Sequence, residues 1–299
     1  MISDVQSSIV SVESIAVAST HDLSGVIYDT DDEGNVYIFT ECSYVRFADE
    51  INITFDNSYT VPAQLFGYDS SSDLALLMCK TEFEVTPVNK GLSSLVEQGE
   101  SVVLLGGRNA RTMTSSVSSA ISSSSGYYRI SADSLWISEV LELDREVYSD
   151  QIGGGLFNYG GDLIGLLVNG PSGSITDKGY AVAVDEMKIV YSELRENGTV
   201  SRGCLGICGR SIADLRSYEK NIRDLQLDLD SGILITYIYP EASVNEVLQT
   251  GDVLTALNSE EIMDFADLRE KLYEHDSGET VQLEILRNGE TFTESVTLQ

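Results

Sequence analysis

Between Ser24 and about Val184 the sequence alternates short runs rich in Val, Ile, Tyr and Thr with clusters of Gly, Asn, Asp and Ser. The runs include Gly25–Tyr28, Val36–Thr40, Ile51–Phe55, Leu74–Met78, Val102–Leu105, Leu163–Val168 and Gly179–Val184. They are too short to be amphipathic helices, and β-branched and aromatic side chains suit a pleated, packed surface. Several such runs at even spacing predict an all-β barrel or sandwich, and the length suits two small barrels packed together. At Asp185 the period changes. Met187, Val190, Tyr191 and Leu194 fall on one helical face, with Asp185 as the expected N-cap and Gly198 as the stop. Asn197-Gly198 is therefore the expected boundary between a domain over 1–198 and another over 199–299.

The second part reads as a compact α+β module. Gly232–Tyr239 is an apolar strand, Asp264 to about Tyr273 is a helix with Phe265, Leu268 and Leu272 on one face, and two closing strands surround Arg287-Asn288-Gly289-Glu290. Asn-Gly between two strands is the hairpin signal. The Ser122–Gly126 run is expected to be a mobile surface loop. It does not read as a phosphate cradle, because neither a lysine nor a strand-to-helix transition follows it.

Charge narrows the partners. The formal net charge is -30 over 299 residues. The excess is spread over both parts, with 10 basic and 29 acidic side chains in 1–198 and 8 and 19 in 199–299. Such a chain repels nucleic acid and anionic bilayers, so neither is an expected partner. No window approaches the ~18 apolar residues of a membrane span. Cys42, Cys79, Cys204 and Cys208 are too few and too scattered for a disulfide scaffold, and are expected as buried thiols, with a Cys42 to Cys79 bridge as the competing reading. Cys204 and Cys208 are expected on one strand, too far apart to bridge. Only His21 and His275 accompany them, so no metal site and no cofactor is expected.

Taken in order, several segments resemble the HtrA (DegP-like) family, a trypsin-like double β-barrel protease followed by a PDZ domain. Leu23-Ser24-Gly25-Val26-Ile27 is similar to the family's opening strand, and Ser72-Asp73-Leu74-Ala75-Leu76-Leu77 to the strand bearing its catalytic aspartate. Met113–Ala120 is similar to a mid-domain strand, and Gly161-Asp162-Leu163-Ile164-Gly165 to the strand after the nucleophile. The resemblance covers nearly the whole chain. It implies a mostly β fold, a place in bacterial protein quality control, and an extracytoplasmic or cell-surface location with any anchor outside this chain; a cytoplasmic location stays open. It also implies homo- or hetero-oligomers with HtrA-like subunits.

The chain departs from the family at the chemistry. In Tyr37–Val45, Ser43 stands where the family has its histidine, and in Asp150-Gln151-Ile152-Gly153-Gly154-Gly155 the nucleophile position is Ile152. Asp150 stands at the oxyanion-hole glycine and Gly155 at the usual proline, leaving Asp73 as the one triad position kept. A hydrocarbon cannot attack a carbonyl, and a working site of this kind needs an imidazole base and backbone donors aimed at a developing oxyanion. The expectation is thus a chain that is not an enzyme, a pseudoprotease acting as a peptide-binding scaffold or regulator. The alternative is a serine endopeptidase with a relocated site. Ser149 and His21 would have to converge for it; Lys80 and Lys90 have no spacing that aims them at Ser149.

Gly203-Cys204-Leu205-Gly206-Ile207 is similar to the family's carboxylate loop, which holds a peptide C-terminus by backbone N–H groups. Peptide C-termini or unfolded segments are therefore the expected partners. Arg202 is read either as a charge that draws a carboxylate or as a solvated side chain. At most one or two of Phe265, Leu268 and Leu272 are expected to face the peptide.

Overall fold

The structure, a computed structural model, describes residues 5–56, 58–107, 115–130, 134–170, 177–222, 225 and 229–299. Met113 and Thr114 of the quoted mid-domain strand lie outside them. The chain divides into two compact units: 1–134 with 138–200, and Leu135–Ile137 with Ser201–Gln299.

The first unit holds two closed six-stranded barrels. One is formed by β1 (Ile9–Ala16), β2 (Ser19–Thr30), β3 (Asn35–Glu41), β4 (Glu50–Thr54), β5 (Thr60–Asp69) and β6 (Leu74–Lys80), in spatial order β1-β2-β3-β6-β5-β4. The other contains β7 (Ser101–Gly106), β8 (Ser115–Tyr128), β9 (Ser138–Leu143), β10 (Gly155–Phe157), β11 (Leu163–Val168) and β12 (Gly179–Ala183), in order β10-β11-β12-β9-β8-β7. A short helix, α1 (Cys42–Val45), follows β3, and α2 (Val184–Asn197) closes the unit. Each expected strand run lies on one of these strands, except that Phe55 falls one residue beyond β4 and Val184 opens α2 instead of closing β12, and the fold is mostly β, as expected.

Every residue of β3 and of β11 is buried. Side chains alternate faces along a strand, so burial of both faces needs a partner on each side. Val36 and Ile38 fill the interior of the first barrel, whereas Tyr37 and Phe39 join a second cluster with Val103, Leu105, Phe157, Leu166 and residues of α2. In the other barrel Val102 and Leu104 turn inward while Val103 and Leu105 face that shared cluster. The continuous apolar runs are thus the signature of two barrels packed against each other. Burying a Leu, Ile or Phe side chain of this kind is worth about 1.5–3 kcal/mol.

Two local expectations are corrected. Ser122–Gly126 is part of β8 rather than a loop. It pairs with β9 through Ile121↔Leu143, Ser123↔Glu142 and Gly126↔Val140, with register shifts at both steps. Bulges take up the extra residues, and the ladder overrides a weak local preference. In α2 the N-cap position is Ala183, not Asp185. Asp185 sits in the first turn, where its carboxylate accepts from Ser93 Oγ (2.8 Å) and Ser94 N (3.1 Å) and pairs with Lys188 Nζ (2.6 Å). Gly198 ends the helix with φ +74°, a left-handed conformation that glycine adopts without strain.

In the second unit a sheet runs in the order β13 (Ile207–Ser211), β14 (Ile233–Ile238), β15 (Val253–Leu257), β17 (Thr280–Arg287) and β18 (Glu290–Thr297), with β16 (Glu260–Glu261) beside β15. Its helices are α3 (Ser217–Ile222) and α4 (Phe265–Tyr273). The Asp264 side chain caps α4 by accepting from Asp267 N at 2.9 Å. Asn288 and Gly289 have φ +52° and +81° between the paired Arg287 and Glu290, which is the two-residue turn expected of Asn-Gly. Cys204 precedes β13 while Cys208 lies in it, so the two do not share a strand; none of the four cysteines forms a disulfide, and Cys42, Cys79 and Cys204 are buried as expected whereas Cys208 is partly exposed. The guanidinium of Arg287 clasps the Asp252 carboxylate, 2% exposed, with two bonds of 2.6 Å.

Candidate functional site

Ser43 and Asp73 meet. Ser43 N donates to Asp73 Oδ1 at 2.6 Å and Ser43 Oγ to Oδ2 at 3.1 Å, while the Asp73 carbonyl accepts from Cys42 N at 2.8 Å. The turn into β6 leaves Asp73 at φ +57°, uncommon for a residue with a Cβ. Beside this pair sits a carboxyl group that the sequence reading missed. Glu41, the last residue of β3, is fully buried, and its two oxygens accept from Asn169 N (3.0 Å) and Nδ2 (3.1 Å). It also shares a hydrogen bond with Asp73. Burial first, then the Asp73 charge, holds the Glu41 carboxyl well above the usual carboxylate range. Burial likewise raises Asp73, against the opposing N–H and O–H bonds from Ser43. The two acids share a proton more readily than they carry two charges. An acidic residue closing an otherwise apolar strand was the signal in the sequence.

The Asp150–Gly154 turn is built by backbone. Gln151 N donates to Tyr148 O and Gly154 N to Gln151 O, each at 2.8 Å, and Gly153 N donates to Leu167 O at 2.7 Å. Gly153 has φ +77°, and a Cβ there would crowd the Ser24 carbonyl and lie 2.6 Å from Thr40 Oγ1. Ser24, fully buried, ties this turn to the first barrel: its N donates to Ile152 O (2.7 Å) and its Oγ to Asp150 O (2.7 Å), and it accepts from Gly107 N (2.7 Å). Ile152 is 6% exposed. Ser149 is exposed, and the His21 ring packs edge-on against Tyr44 at 5.0 Å. The Ser43–Asp73 pair contains no imidazole to carry a proton, so hydrolysis by this chain needs a nucleophile other than the residue at 152.

In the second unit Cys204, Leu205, Gly206 and Ile207 border a groove whose other wall is α4, with Phe265, Leu268, Arg269 and Leu272. All three apolar residues of the helix line it, and all three are buried. Gly203 and Cys204 use their N–H groups elsewhere, on the carbonyls of His275 (2.6 Å) and Gln299 (2.9 Å). Gly206 has φ +68°. Arg202 is not solvated: it is 7% exposed and donates to Tyr273 Oη at 2.8 Å. Among the described residues no group of acidic, histidine or cysteine side chains is placed to hold a metal, and no helix is long and apolar enough to cross a membrane.

The family described as trypsin-like peptidase domain matches residues 23–166, and the PDZ domain family matches 208–298. The chain is 28% identical over 290 residues to the "Serine protease Do-like HtrA" of Lactobacillus helveticus, covering 92% of this chain and 68% of that protein. It is 28% identical over 279 residues to the "Periplasmic serine endoprotease DegP" of Escherichia coli, covering 92% of this chain and 56% of that one. It therefore spans little more than half of the DegP sequence. A solved structure of the HtrA-type protease AlgW with tripeptide matches the fold with a TM-score of 0.72 at 21% identity, over 99% of this chain and 95% of that one.

These relatives correct one expectation. A chain read as "not an enzyme" from Ser43 and Ile152 has a trypsin-like peptidase domain and relatives that are named serine proteases, and that reading conflicts with its family. Ser43 and Ile152 bear on one arrangement of catalytic groups, not on whether the chain has an activity. With a trypsin-like peptidase domain match over residues 23–166, a PDZ domain match over 208–298 and these relatives, the chain is similar along most of its length to the HtrA/DegP-like serine proteases.

Proposed function

We propose that this chain works by capturing peptides in the groove of its second unit, as a peptide-binding regulator or scaffold among HtrA-like proteins. A peptide would add to the open edge of β13, and its terminal carboxylate would be held by the N–H groups of Leu205, Gly206 and Ile207, with α4 supplying the apolar wall. The observation that carries this reading is the geometry of the loop. Its glycine adopts a left-handed conformation at Gly206, and the loop leads directly into a strand that has a neighbour on one side only. The AlgW structure with tripeptide supports it by likeness of fold. Fluorescence polarisation with a library of C-terminal peptides tests it. Binding that weakens at least tenfold on amidation of the C-terminus is expected; equal binding of acid and amide would refute carboxylate capture.

A second reading is favoured by the names of the relatives: a serine endopeptidase with a nucleophile away from position 152. Ser149, exposed three residues earlier, is the serine to test. Labelling by a fluorophosphonate probe and casein cleavage, both abolished by Ser149→Ala, would support it, and absence of label on any serine would count against it. The site of action proposed is extracytoplasmic, as the name of the DegP relative indicates for that protein. Assembly with like subunits is proposed from the family alone.

A further inference from the structure

The groove is not empty. Leu135-Trp136-Ile137, which leads into β9, belongs to the second unit and lines the groove together with the carboxylate loop and α4. A Cβ placed on Gly206 would come within 3.2 Å of Leu135 Cδ1, so Leu135 lies against the loop itself. Trp136, the only tryptophan of the chain, is 2% exposed. Its ring centroid is 4.3 Å from the Arg202 guanidinium carbon, 5.4 Å from that of Arg269 and 4.8 Å from the Tyr273 ring. Guanidinium groups within about 6 Å of an indole are attracted by the negative face of the ring, each by ~0.5–2 kcal/mol when desolvated. With these three residues in place the groove keeps about 20 Å³ of free volume, room for roughly one water.

We propose that Leu135–Ile137 is the resident ligand of this groove, and that the cage of Arg202, Arg269 and Tyr273 is a side-chain site for an aromatic residue, filled at rest by Trp136. The proposal rests on the peptide-groove reading and adds who occupies the groove and what an incoming peptide must offer. A peptide enters by displacing the segment, and a suitable one carries an aromatic residue to replace Trp136 between the two guanidiniums. The apparent affinity is reduced by the fraction of chains whose groove is open. A ligand without an aromatic side chain leaves the cage empty and competes poorly.

The lone tryptophan reports the event. The full chain is titrated with a tryptophan-free octapeptide ending in Val-Phe-Leu with a free carboxylate, with binding followed by calorimetry and Trp136 by its emission and acrylamide quenching. The expected result is a red shift and increased quenching that saturate together with the heat, and affinities about tenfold tighter for Trp136→Ala and Leu135→Ser. Circular dichroism melts check that both variants fold. Binding with unchanged tryptophan emission and unchanged affinity in both variants overturns the resident-ligand proposal while leaving the peptide groove intact. Failure of the parent chain and of both variants to bind removes the groove reading, and this proposal with it.

Discussion

The turn around Ile152 and the loop around Gly206 are built from the same material, backbone N–H groups held in place by glycines, but they depend on side chains to different degrees. At the turn, the sequence resemblance sets Ile152 and Ser43 where the family's chemistry needs a hydroxyl and an imidazole, while backbone bonds from Gln151, Gly153 and Gly154 hold the turn itself. At the loop, the proposed chemistry is carried by the backbone, so it survives any side-chain change that preserves the path of the chain. A site made of backbone persists under sequence drift in which a site made of side chains changes its character.

The sharpest way to break that contrast is at Gly153. Its φ of +77° and the crowding of a Cβ against the Ser24 carbonyl make Gly153→Ala costly, about 3 kcal/mol of unfolding free energy in urea titration. A loss under about 1 kcal/mol would mean that the turn is not structurally required. Next comes Ser24→Ala, which removes the hydroxyl that bonds Asp150 O and Gly107 N in the interior. About 2 kcal/mol is expected, because two buried backbone groups lose their partner.

In the groove, Gly206→Ala forces a Cβ to 2.7 Å from that of Ala242 at a positive φ. It should cost about 1–2 kcal/mol of stability and also weaken peptide binding. If stability falls and affinity holds, the loop is scaffold rather than binding site. A smaller change is expected from Glu41→Gln. Burial and Asp73 raise the folded-state pKa of Glu41, whereas the unfolded chain keeps an ordinary one. The stability from this proton is complete below the ordinary glutamate range and is lost as pH rises through the folded value. Glu41→Gln stays neutral, so its stability, followed by chemical unfolding between pH 4 and 8, should decline less with rising pH than that of the parent chain. A steeper decline would contradict the assignment.

Most of the fold was legible because it is written in alternation. The apolar runs at Val36–Thr40 and Leu163–Val168, the Asn288-Gly289 turn and the stop at Gly198 each carry a local physical signal that the structure keeps. The Ser122–Gly126 run was not legible, since serine has no strong preference and its strand is imposed by pairing with β9. The candidate sites were legible only in part. Ser43 and Asp73 could be placed together by resemblance, but Glu41 and Asn169 lie far apart in sequence and become partners only when β3 and the end of β11 are brought close. Trp136 was passed over for a related reason: a Leu-Trp-Ile segment before a strand reads as core, and nothing local says that its ring packs against Arg202 and Tyr273.

The central claim is that backbone N–H groups of the loop hold a peptide carboxylate, and amide chemical shifts test it most directly. In a ¹H–¹⁵N spectrum of the chain, a saturating free-acid peptide should move the Leu205, Gly206 and Ile207 amides downfield, and the same peptide amidated at its C-terminus should move them much less at equal occupancy. Equal shifts for acid and amide, or binding that leaves these three amides in place, would contradict the account.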